Sequence, residues 1–176
     1  MTEARIAILT VSDRASKGEY EDRGGPAAED WLRRTITSPL ETLRRITPDG
    51  RAEVAAELRD LADNWRADVI LATGGTGPSP RDQTPEAMAD VINMDLPGFG
   101  EAMRAANGKV VATAILSRQS AGVRGKTLII TLPGSPNAIA TSLEAIFAAV
   151  PYCLDLIGAN WIDTDPAIIK AHRPKT

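Results

Sequence analysis

The sequence predicts an α/β fold, a three-layer α/β/α sandwich on a mostly parallel sheet. Three runs rich in Ile, Leu and Val, at residues 5–11, 68–73 and 126–132, have the length of strands buried on both faces, which is typical of parallel sheets. Stretches with helical periodicity alternate with these runs, as right-handed crossovers between parallel strands require. Aromatic residues are only 4% of the chain, so Ala, Val, Ile and Leu must form most of the core.

Length and composition favour one domain. A chain of 176 residues falls within the size range of a single domain and needs no disulfide or structural metal to hold its core. We assign residues 1–162 to one α/β domain and residues 163–176 to a C-terminal tail that we expect to be loose. The single cysteine excludes a disulfide framework and a cysteine-rich zinc site.

The charge balance argues against nucleic acid as a partner. The net charge is -3, with 20 basic and 23 acidic side chains, and no run of Lys or Arg is longer than a pair. The sequence shows no secretory leader and no apolar run of about 18 residues, so no membrane association is expected. We expect a cytoplasmic protein.

The first part of the chain predicts a strand, a helix and an edge strand. Residues 5–11 form the first strand, and a polar loop follows over residues 12–25. Pro26 suits the first position of a helix. Residues 40–47 are more polar, as is typical of an edge strand, and they end at Pro48-Asp49-Gly50. The residues at helical spacing behind Pro26 are Ala28, Trp31, Leu32, Thr35 and Ile36.

A second helix and strand come next. The strand at residues 68–73 runs directly into the loop Gly74-Gly75-Thr76-Gly77-Pro78. Thr84 is expected to cap a helix that has Pro85 at its first position and runs to about Met94. The helix before the strand is indicated by the stripe Val54, Leu58, Leu61 and Trp65.

The last part predicts one further strand between helices. Residues 96–100 are expected to break the chain before a short helix that ends near Ala106. Residues 109–124 show no clear period, and they form either a separate small lobe or a hairpin. The remaining elements are a strand at 126–132, a loop at 133–136 and helices at 137–148 and around 152–157.

The loops that follow the strands are the expected ligand site. In an open parallel sheet, ligands bind beyond the carboxyl ends of the strands. Glycine lets backbone N–H groups approach an anion closely, and small hydroxyls add donors, so the third and fourth of these loops suit a phosphate. The four loops are Ser12-Asp13-Arg14, Thr47-Pro48-Asp49-Gly50, Thr73-Gly74-Gly75-Thr76-Gly77 and Leu132-Pro133-Gly134-Ser135-Pro136.

The Gly74–Gly77 loop differs from two common phosphate loops. It lacks the Lys-Ser/Thr ending of a Walker A loop and the third glycine of a dinucleotide fingerprint. The sequence therefore indicates neither an ordinary P-loop NTPase nor an obvious NAD enzyme. Arg81 and Asp82 follow closely, and an arginine and a carboxylate beside a glycine loop are what a phosphate–Mg²⁺ site requires. A tight strand-to-helix turn is the alternative interpretation of the loop.

Asp49 and Asp82 both follow strand ends. If the first strand lies between the second and the third, these ends are two strand spacings apart, roughly 10 Å. Side chains on loops can close that gap around one bound Mg²⁺–polyphosphate. The alternatives are an Asx-type turn for Asp49 and a helix cap for Asp82.

Because the net charge is negative, an anion pocket has to be local. Cys153 is expected to be a small buried hydrophobe, and His172 to be exposed to solvent without a chemical role. The basic residues near the loops are Arg14, Lys17, Arg81, Arg118, Arg124 and Lys126.

These motifs resemble the MogA-type molybdopterin adenylyltransferases, within the MogA/MoaB family of molybdenum cofactor biosynthesis proteins. The resemblance spans nearly the whole chain. The matching stretches are Val11-Ser12-Asp13-Arg14-Ala15-Ser16 with Gly18 and Asp22, Pro48-Asp49, Thr73–Pro78, Arg81-Asp82-Gln83-Thr84-Pro85-Glu86, Pro97-Gly98-Phe99-Gly100-Glu101, Thr113–Arg118 and Leu132–Pro136.

The resemblance implies the Rossmann-like molybdopterin-binding fold and transfer of an adenylyl group from Mg–ATP to molybdopterin, with release of pyrophosphate. Asp49 and Asp82 match the two essential acidic positions of the family, so they are the candidate catalytic and Mg²⁺-binding residues. The family is usually trimeric, and a protein that inserts molybdenum is a candidate partner. The candidate substrate-binding residues are Ser12, Arg14, Gly74, Gly75, Thr76, Gly77, Arg81, Pro133, Gly134 and Ser135.

Three other functions stay open from the sequence, and one of them, some other nucleotide-using α/β enzyme, requires that molybdopterin has no effect on the protein. The first is a MoaB-like protein that binds molybdopterin with little or no adenylylation. The stretches Ser117-Arg118-Gln119 and Pro97–Glu101, with Arg173-Pro174-Lys175 near the end, favour the MogA type. The second is a non-catalytic oligomeric binding or scaffold domain, which the presence of both Asp49 and Asp82 disfavours.

Overall fold

The computed structural model describes residues 3–174, in which a six-stranded sheet carries helices on both faces. The strands are β1 Ala4–Val11, β2 Leu40–Thr47, β3 Val69–Thr73, β4 Met94–Asp95, β5 Ala121–Arg124 and β6 Thr127–Leu132. The helices are α1 Asp13–Ser16, α2 Gly24–Thr35, α3 Arg51–Asp63, α4 Thr84–Ala89, α5 Pro97–Gly108, α6 Pro136–Ile146 and α7 Val150–Ile157, with a 3₁₀ turn at Ala112–Leu116.

The sheet is mostly parallel, as predicted. Its strand order is β2-β1-β3-β6-β5-β4. The first four strands in that order run parallel, whereas β5 pairs antiparallel with β6, and β4 antiparallel with β5. The first strand therefore lies between the second and the third, the arrangement on which the expected approach of Asp49 and Asp82 depends.

The four parallel strands end at one edge of the sheet. Val11 pairs with Thr47, Thr10 with Thr73, and Thr73 with Leu132. Because these ends are in register, the loops that follow β1, β2, β3 and β6 all emerge at this edge. The candidate site is therefore one region of the molecule.

Alternate residues of the central strands feed two separate cores. In β1, Ile6 and Ile8 face the cluster that α2, α5, α6 and α7 cover, while Ala7 and Leu9 face the cluster under α3 and α4. All four side chains are fully buried. This double burial explains the continuous apolar runs that identified the strands.

Three predicted helix boundaries differ from the structure. Helix α2 begins at Gly24, so Pro26 lies inside its first turn. Helix α4 ends at Ala89, and Met94 belongs to β4 instead. Helix α5 begins at Pro97, because proline fits the first helical turn, where its missing N–H costs nothing. The expected break at residues 96–100 is therefore wrong beyond Leu96.

The unclear stretch 109–124 is part of the domain. It holds the 3₁₀ turn and then β5, which forms a hairpin with β6. Of the two alternatives, the hairpin is right for its last part. The strand alternates little because Ala121, Gly122 and Val123 are all buried, which removed the period-two signal.

The C-terminal segment is not loose where the structure describes it. Thr164 pairs with Ile36 in an antiparallel bridge, and the backbone N–H of His172 donates to Ala148 O at 2.9 Å. The guanidinium of Arg173 bonds Asp155 of α7 and the carbonyl of Ile162. The predicted tail residues 175 and 176 lie outside the described residues, and the boundary at residue 162 stays a prediction.

Within residues 3–174 we find no single helix with the length and apolarity to cross a membrane; α6 and α7 would meet that test only as a pair, bent by 65°.

Candidate active site

The loop after β3 is held against its neighbours by hydrogen bonds and by the absence of side chains. Gly74 has φ +97°, and a Cβ atom there would collide with the carbonyl oxygen of Val11. Its N–H donates to Leu132 O at 3.0 Å. Only glycine fits where β1 and β6 approach the loop so closely.

Thr84 closes the same loop. Its buried hydroxyl donates to Gly74 O at 2.9 Å, and its N–H donates to Gly75 O at 3.1 Å. The expected capping role is therefore wrong, because the hydroxyl is used on the loop, while Gln83 precedes the helix. Gly75 has φ +62°, and a Cβ there would lie against the Thr84 hydroxyl and 3.2 Å from Asp49 Oδ1.

Asp49 is fixed by Asp13. The N–H of Asp13 donates to Asp49 Oδ2 at 2.9 Å, and the N–H of Asp49 donates to Asp13 Oδ1 at 3.1 Å. Arg81 donates to both carboxylate oxygens of Asp13 and to the carbonyl of Asp49. The hydrogen bond from Arg81 holds the pKa of Asp13 below its ordinary value, so Asp13 is ionised at neutral pH.

Asp82 belongs to a second group of contacts. Its Oδ2 accepts from the N–H of Ser79 at 3.1 Å. Arg118 donates to the carbonyls of Asp82 and Gly77, at 2.6 and 3.1 Å, and to the carboxylate of Glu86. Arg118 thus connects the segment that carries Asp82 to α4. The hydrogen bond from Arg118 to the Glu86 carboxylate also lowers the pKa of Glu86.

One oxygen of each candidate carboxylate is left over. Among residues 3–174 no N–H or O–H group donates to Oδ1 of Asp49 or of Asp82. In the same part of the chain, no group of three or more His, Cys, Asp and Glu side chains could hold a metal by itself. Mg²⁺ usually takes one or two carboxylates and completes its shell with substrate phosphates and water, so these two residues fit a metal that arrives with a polyphosphate.

A cavity of about 230 Å³ opens beside β1. Its lining includes four of the predicted binding residues, namely Ser12, Arg14, Gly74 and Gly134. The Arg14 guanidinium lies 5.1 Å from the ring centre of Tyr20, and the Ser12 hydroxyl accepts from the N–H of Ala15. A cationic and a hydroxyl group therefore face a glycine-walled space, which suits an anionic ligand.

The other predicted residues lie around this centre. Arg81 is bound to Asp13, so its charge is already neutralised in part. The Thr76 hydroxyl lies 3.2 Å from that of Ser117, and Pro133 lines a separate cavity under the 3₁₀ turn. Ser135 is exposed at the start of α6 and makes no capping bond. A Cβ atom at Gly77 would lie 2.8 Å from Asp82 Oδ2.

Two acidic residues were not among the predicted site residues. Asp13 bonds both Asp49 and Arg81, and Asp22 accepts from Thr10 Oγ1 at 2.8 Å and from Gly25 N at 3.0 Å, in the wall of the 230 Å³ cavity. Both stand in the quoted motif, but nothing in its spacing indicates that Asp13 bonds Asp49, 36 residues away, or that Asp22 bonds Thr10, 12 residues away.

Cys153 is half-buried, and burial raises the pKa of its thiol, which keeps it protonated at neutral pH. His172 is exposed, as expected. Neither residue lies among those that line the candidate site.

Comparison with known proteins identifies a family. A family described as "probable molybdopterin binding domain" matches residues 7–152. The chain is 49% identical over 175 residues to the molybdopterin adenylyltransferase of Helicobacter pylori strain 26695, covering 99% of both chains. It is 42% identical over 188 residues to the molybdopterin adenylyltransferase of Escherichia coli K12, covering 100% of this chain and 96% of that protein.

Solved structures agree in fold. The molybdopterin biosynthesis enzyme MoaB from Thermus thermophilus superposes with a TM-score of 0.81 at 41% identity, covering 90% of this chain and 99% of that one. A MogA structure superposes with a TM-score of 0.81 at 37% identity, over 87% of this chain and 99% of that one.

Proposed function

This chain belongs to the family of probable molybdopterin binding domains, and we propose that it acts in molybdenum cofactor biosynthesis as a molybdopterin adenylyltransferase. The observation that carries the proposal is the identity of 42–49%, over essentially full length, to proteins of that name. The reaction moves the adenylyl group of ATP to the terminal phosphate of molybdopterin and releases pyrophosphate.

The chemistry needs no side-chain nucleophile. A phosphate oxygen of molybdopterin attacks the α-phosphorus of ATP, the bond from that phosphorus to the bridging oxygen breaks, and the electron pair leaves with pyrophosphate. The acceptor phosphate is already an anion at neutral pH. The protein therefore has to align two polyanions and to offset charge at the α-phosphate and the leaving group. The lone cysteine and the lone histidine are not required.

We assign catalysis and Mg²⁺ binding to the carboxylates of Asp49 and Asp82. Support comes from Oδ1 of each, to which nothing within residues 3–174 donates, and from the contacts that Asp13 makes with the Asp49 N–H and Arg118 makes with the Asp82 carbonyl. These two carboxylates would hold Mg²⁺, which supplies neutralisation of phosphate charge. In this assignment Asp13 and Arg118 set the positions of the two carboxylates without contacting substrate.

The binding role falls to the loops around them. Arg14 and Arg81 supply cationic groups, and Ser12, Thr76 and Ser135 supply hydroxyls. Gly75, Gly77 and Gly134 would let backbone N–H groups approach phosphate closely. Gly74, whose N–H is bonded to Leu132 O, and Pro133, which has no N–H, would only form walls of the site. Arg81 holds Asp13 and the Asp49 carbonyl and would share its guanidinium with a bound phosphate.

ATP, molybdopterin and Mg²⁺ are thus the proposed ligands. We also propose a homotrimer in the cytoplasm that passes its product to a molybdenum insertion protein. These points rest on the family resemblance.

The test is a single incubation of the purified protein with molybdopterin, ATP and Mg²⁺, followed by separation of adenylylated pterin and pyrophosphate. Both products should appear in equal amounts. Binding of molybdopterin without product would instead support a MoaB-like function, which the 41% identity to the Thermus MoaB favours as second candidate. If neither Mg–ATP nor molybdopterin changes the melting temperature, the proposed function fails, and a non-catalytic scaffold domain is the next candidate.

A further inference from the structure

A buried amide without partners lies beside the candidate site. Gln119 is 1% exposed, and neither Nε2 nor Oε1 of its side chain has a hydrogen-bond partner within residues 3–174. Four buried side-chain polar atoms lack partners in that part of the chain, and two of them belong to this amide. Leaving both a donor and an acceptor unsatisfied is costly, which makes the residue unusual.

Gln119 lines a cavity of about 190 Å³. The cavity lies between the 3₁₀ turn, α5 and α6, and its wall includes the hydroxyl residues Thr113 and Ser117 and the loop residue Pro133. Ser117 also contacts Thr76 of the Gly74–Gly77 loop. The cavity therefore adjoins two of the loops assigned to substrate binding.

Another amide in the same wall shows what a structural role looks like. Asn107 is 5% exposed, and its Nδ2 donates to Met103 O and to Ser142 Oγ, both at 2.9 Å. The backbone of Gln119 is also anchored, since Arg104 donates to its carbonyl at 2.6 Å. Within the described residues, the side-chain amide of Gln119 therefore has no structural hydrogen bond, although its backbone does.

We propose that Gln119 reads the edge of a flat nitrogen heterocycle that enters this cavity. A glutamine amide offers one donor and one acceptor side by side, and it pairs in a bidentate manner with a ring edge that presents the complementary pair. The ring is the pterin of molybdopterin or the adenine of ATP, because both carry such an edge; this step rests on the proposed function. The amide has almost no solvent contact in the unliganded protein, so a rotamer change of the kind that often accompanies binding brings it to the ligand.

The test compares stability with affinity in the variant Gln119→Leu. Removing two unpaired buried polar atoms should leave the melting temperature unchanged or higher. The affinity for one of two probes, molybdopterin or Mg²⁺ with α,β-methylene ATP, should fall roughly 5- to 150-fold, the loss of one bidentate contact. The probe that weakens identifies the ring. Asn107→Leu, the matched control in the same wall, should lower the melting temperature.

A third ligand separates a direct contact from a general disturbance. An analogue of the weakened probe that lacks the exocyclic amino group should bind the wild type about as weakly as the full probe binds Gln119→Leu, and should lose little more in the variant. If Gln119→Leu weakens binding of this analogue by the same factor as it weakens binding of the full probe, the proposal is overturned.

Other outcomes also overturn it. A lower melting temperature in Gln119→Leu with unchanged affinity for both probes would assign the amide to an internal water. If Gln119→Leu changes neither the melting temperature nor the affinity for either probe, the amide of Gln119 contacts neither ring. If the wild type binds neither probe, the proposed function fails and the inference fails with it, whereas binding that Gln119→Leu leaves intact contradicts the inference alone.

Discussion

Asp13 and Asp49 hold each other, the backbone N–H of each donating to the carboxylate of the other, at 2.9 and 3.1 Å. The pair joins the ends of β1 and β2, and Arg81 closes it from outside. Because Oδ2 of Asp49 is committed to this contact, the orientation of the carboxylate is fixed, and its Oδ1 receives no hydrogen bond from residues 3–174. The exchange gives Asp13 a positioning role.

We predict that Asp13→Asn lowers kcat/KM for adenylyl transfer by roughly 10- to 100-fold, because loss of the charge releases Arg81 and loosens Asp49. Steady-state kinetics with ATP and molybdopterin measure this. The control is Asp63→Asn, which breaks a similar pair with Arg124 in the β5–β6 turn and should keep normal activity. Equal rates for Asp13→Asn and wild type would show that Asp49 does not need its neighbour.

Gly74 is the tightest position of the site loops. A Cβ at φ +97° would collide with the Val11 carbonyl, so Gly74→Ala should lower the free energy of unfolding by about 2 kcal/mol or more. Urea denaturation measures the change. In Gly108→Ala, where a Cβ meets nothing within 4 Å, stability should hold or rise. Equal stability of the two variants would mean that the loop has room to move.

The Arg118–Glu86 pair gives a pH dependence. The hydrogen bond from Arg118 lowers the pKa of Glu86 from 4.5, so the folded state favours the carboxylate more than the unfolded state does. Its contribution to stability is complete above about pH 4.5 and disappears as the pH falls through the lowered folded value. The melting temperature of Glu86→Gln should therefore lie below that of wild type at neutral pH, and the gap should close in acid. A gap that widens in acid would contradict the pairing.

Thr164 tests whether the C-terminal segment is docked. Its hydroxyl is buried, donates to Ile169 O at 2.6 Å and accepts from Ala171 N at 3.2 Å. Thr164→Ala should lower the free energy of unfolding by about 1–2 kcal/mol, since two backbone groups lose their partner. Thr141→Ala, at a hydroxyl that bonds only within its own helix, should change it little. If the C-terminal segment is loose, Thr164→Ala and Thr141→Ala should have the same free energy of unfolding in chemical denaturation.

The fold could be predicted where one local signal decides. The buried parallel strands appear as apolar runs because both faces are covered. The order β2-β1-β3 is only a condition of the argument for Asp49 and Asp82, and the structure meets that condition. The starts of α2 and α5 could not be predicted to the residue, because proline is accepted within the first turn of a helix and does not mark its first residue. The sequence does not show that the C-terminal segment is docked, because its contacts, such as Thr164 with Ile36, join residues far apart in the chain.

The site could be predicted in part for the same reason. Strand-end loops and their residue types bring Asp49, Asp82 and the glycines to one edge. What could not be predicted is how they are held, since Asp13 bonds Asp49 across 36 residues and Arg118 bonds the carbonyl of Asp82 across another 36. The unpaired amide of Gln119 is likewise invisible in sequence, because satisfaction of a polar group is a property of packing.

The most direct test of the account is adenylyl transfer by the variant Asp82→Asn beside the wild type, with equal protein, molybdopterin, ATP and Mg²⁺. Asparagine keeps the shape of the side chain and the Oδ contact to Ser79 N but removes the charge. We expect product from the wild type and none from the variant, with the melting temperature and most of the molybdopterin affinity retained. Near-normal product from Asp82→Asn would contradict the assignment of this carboxylate to catalysis.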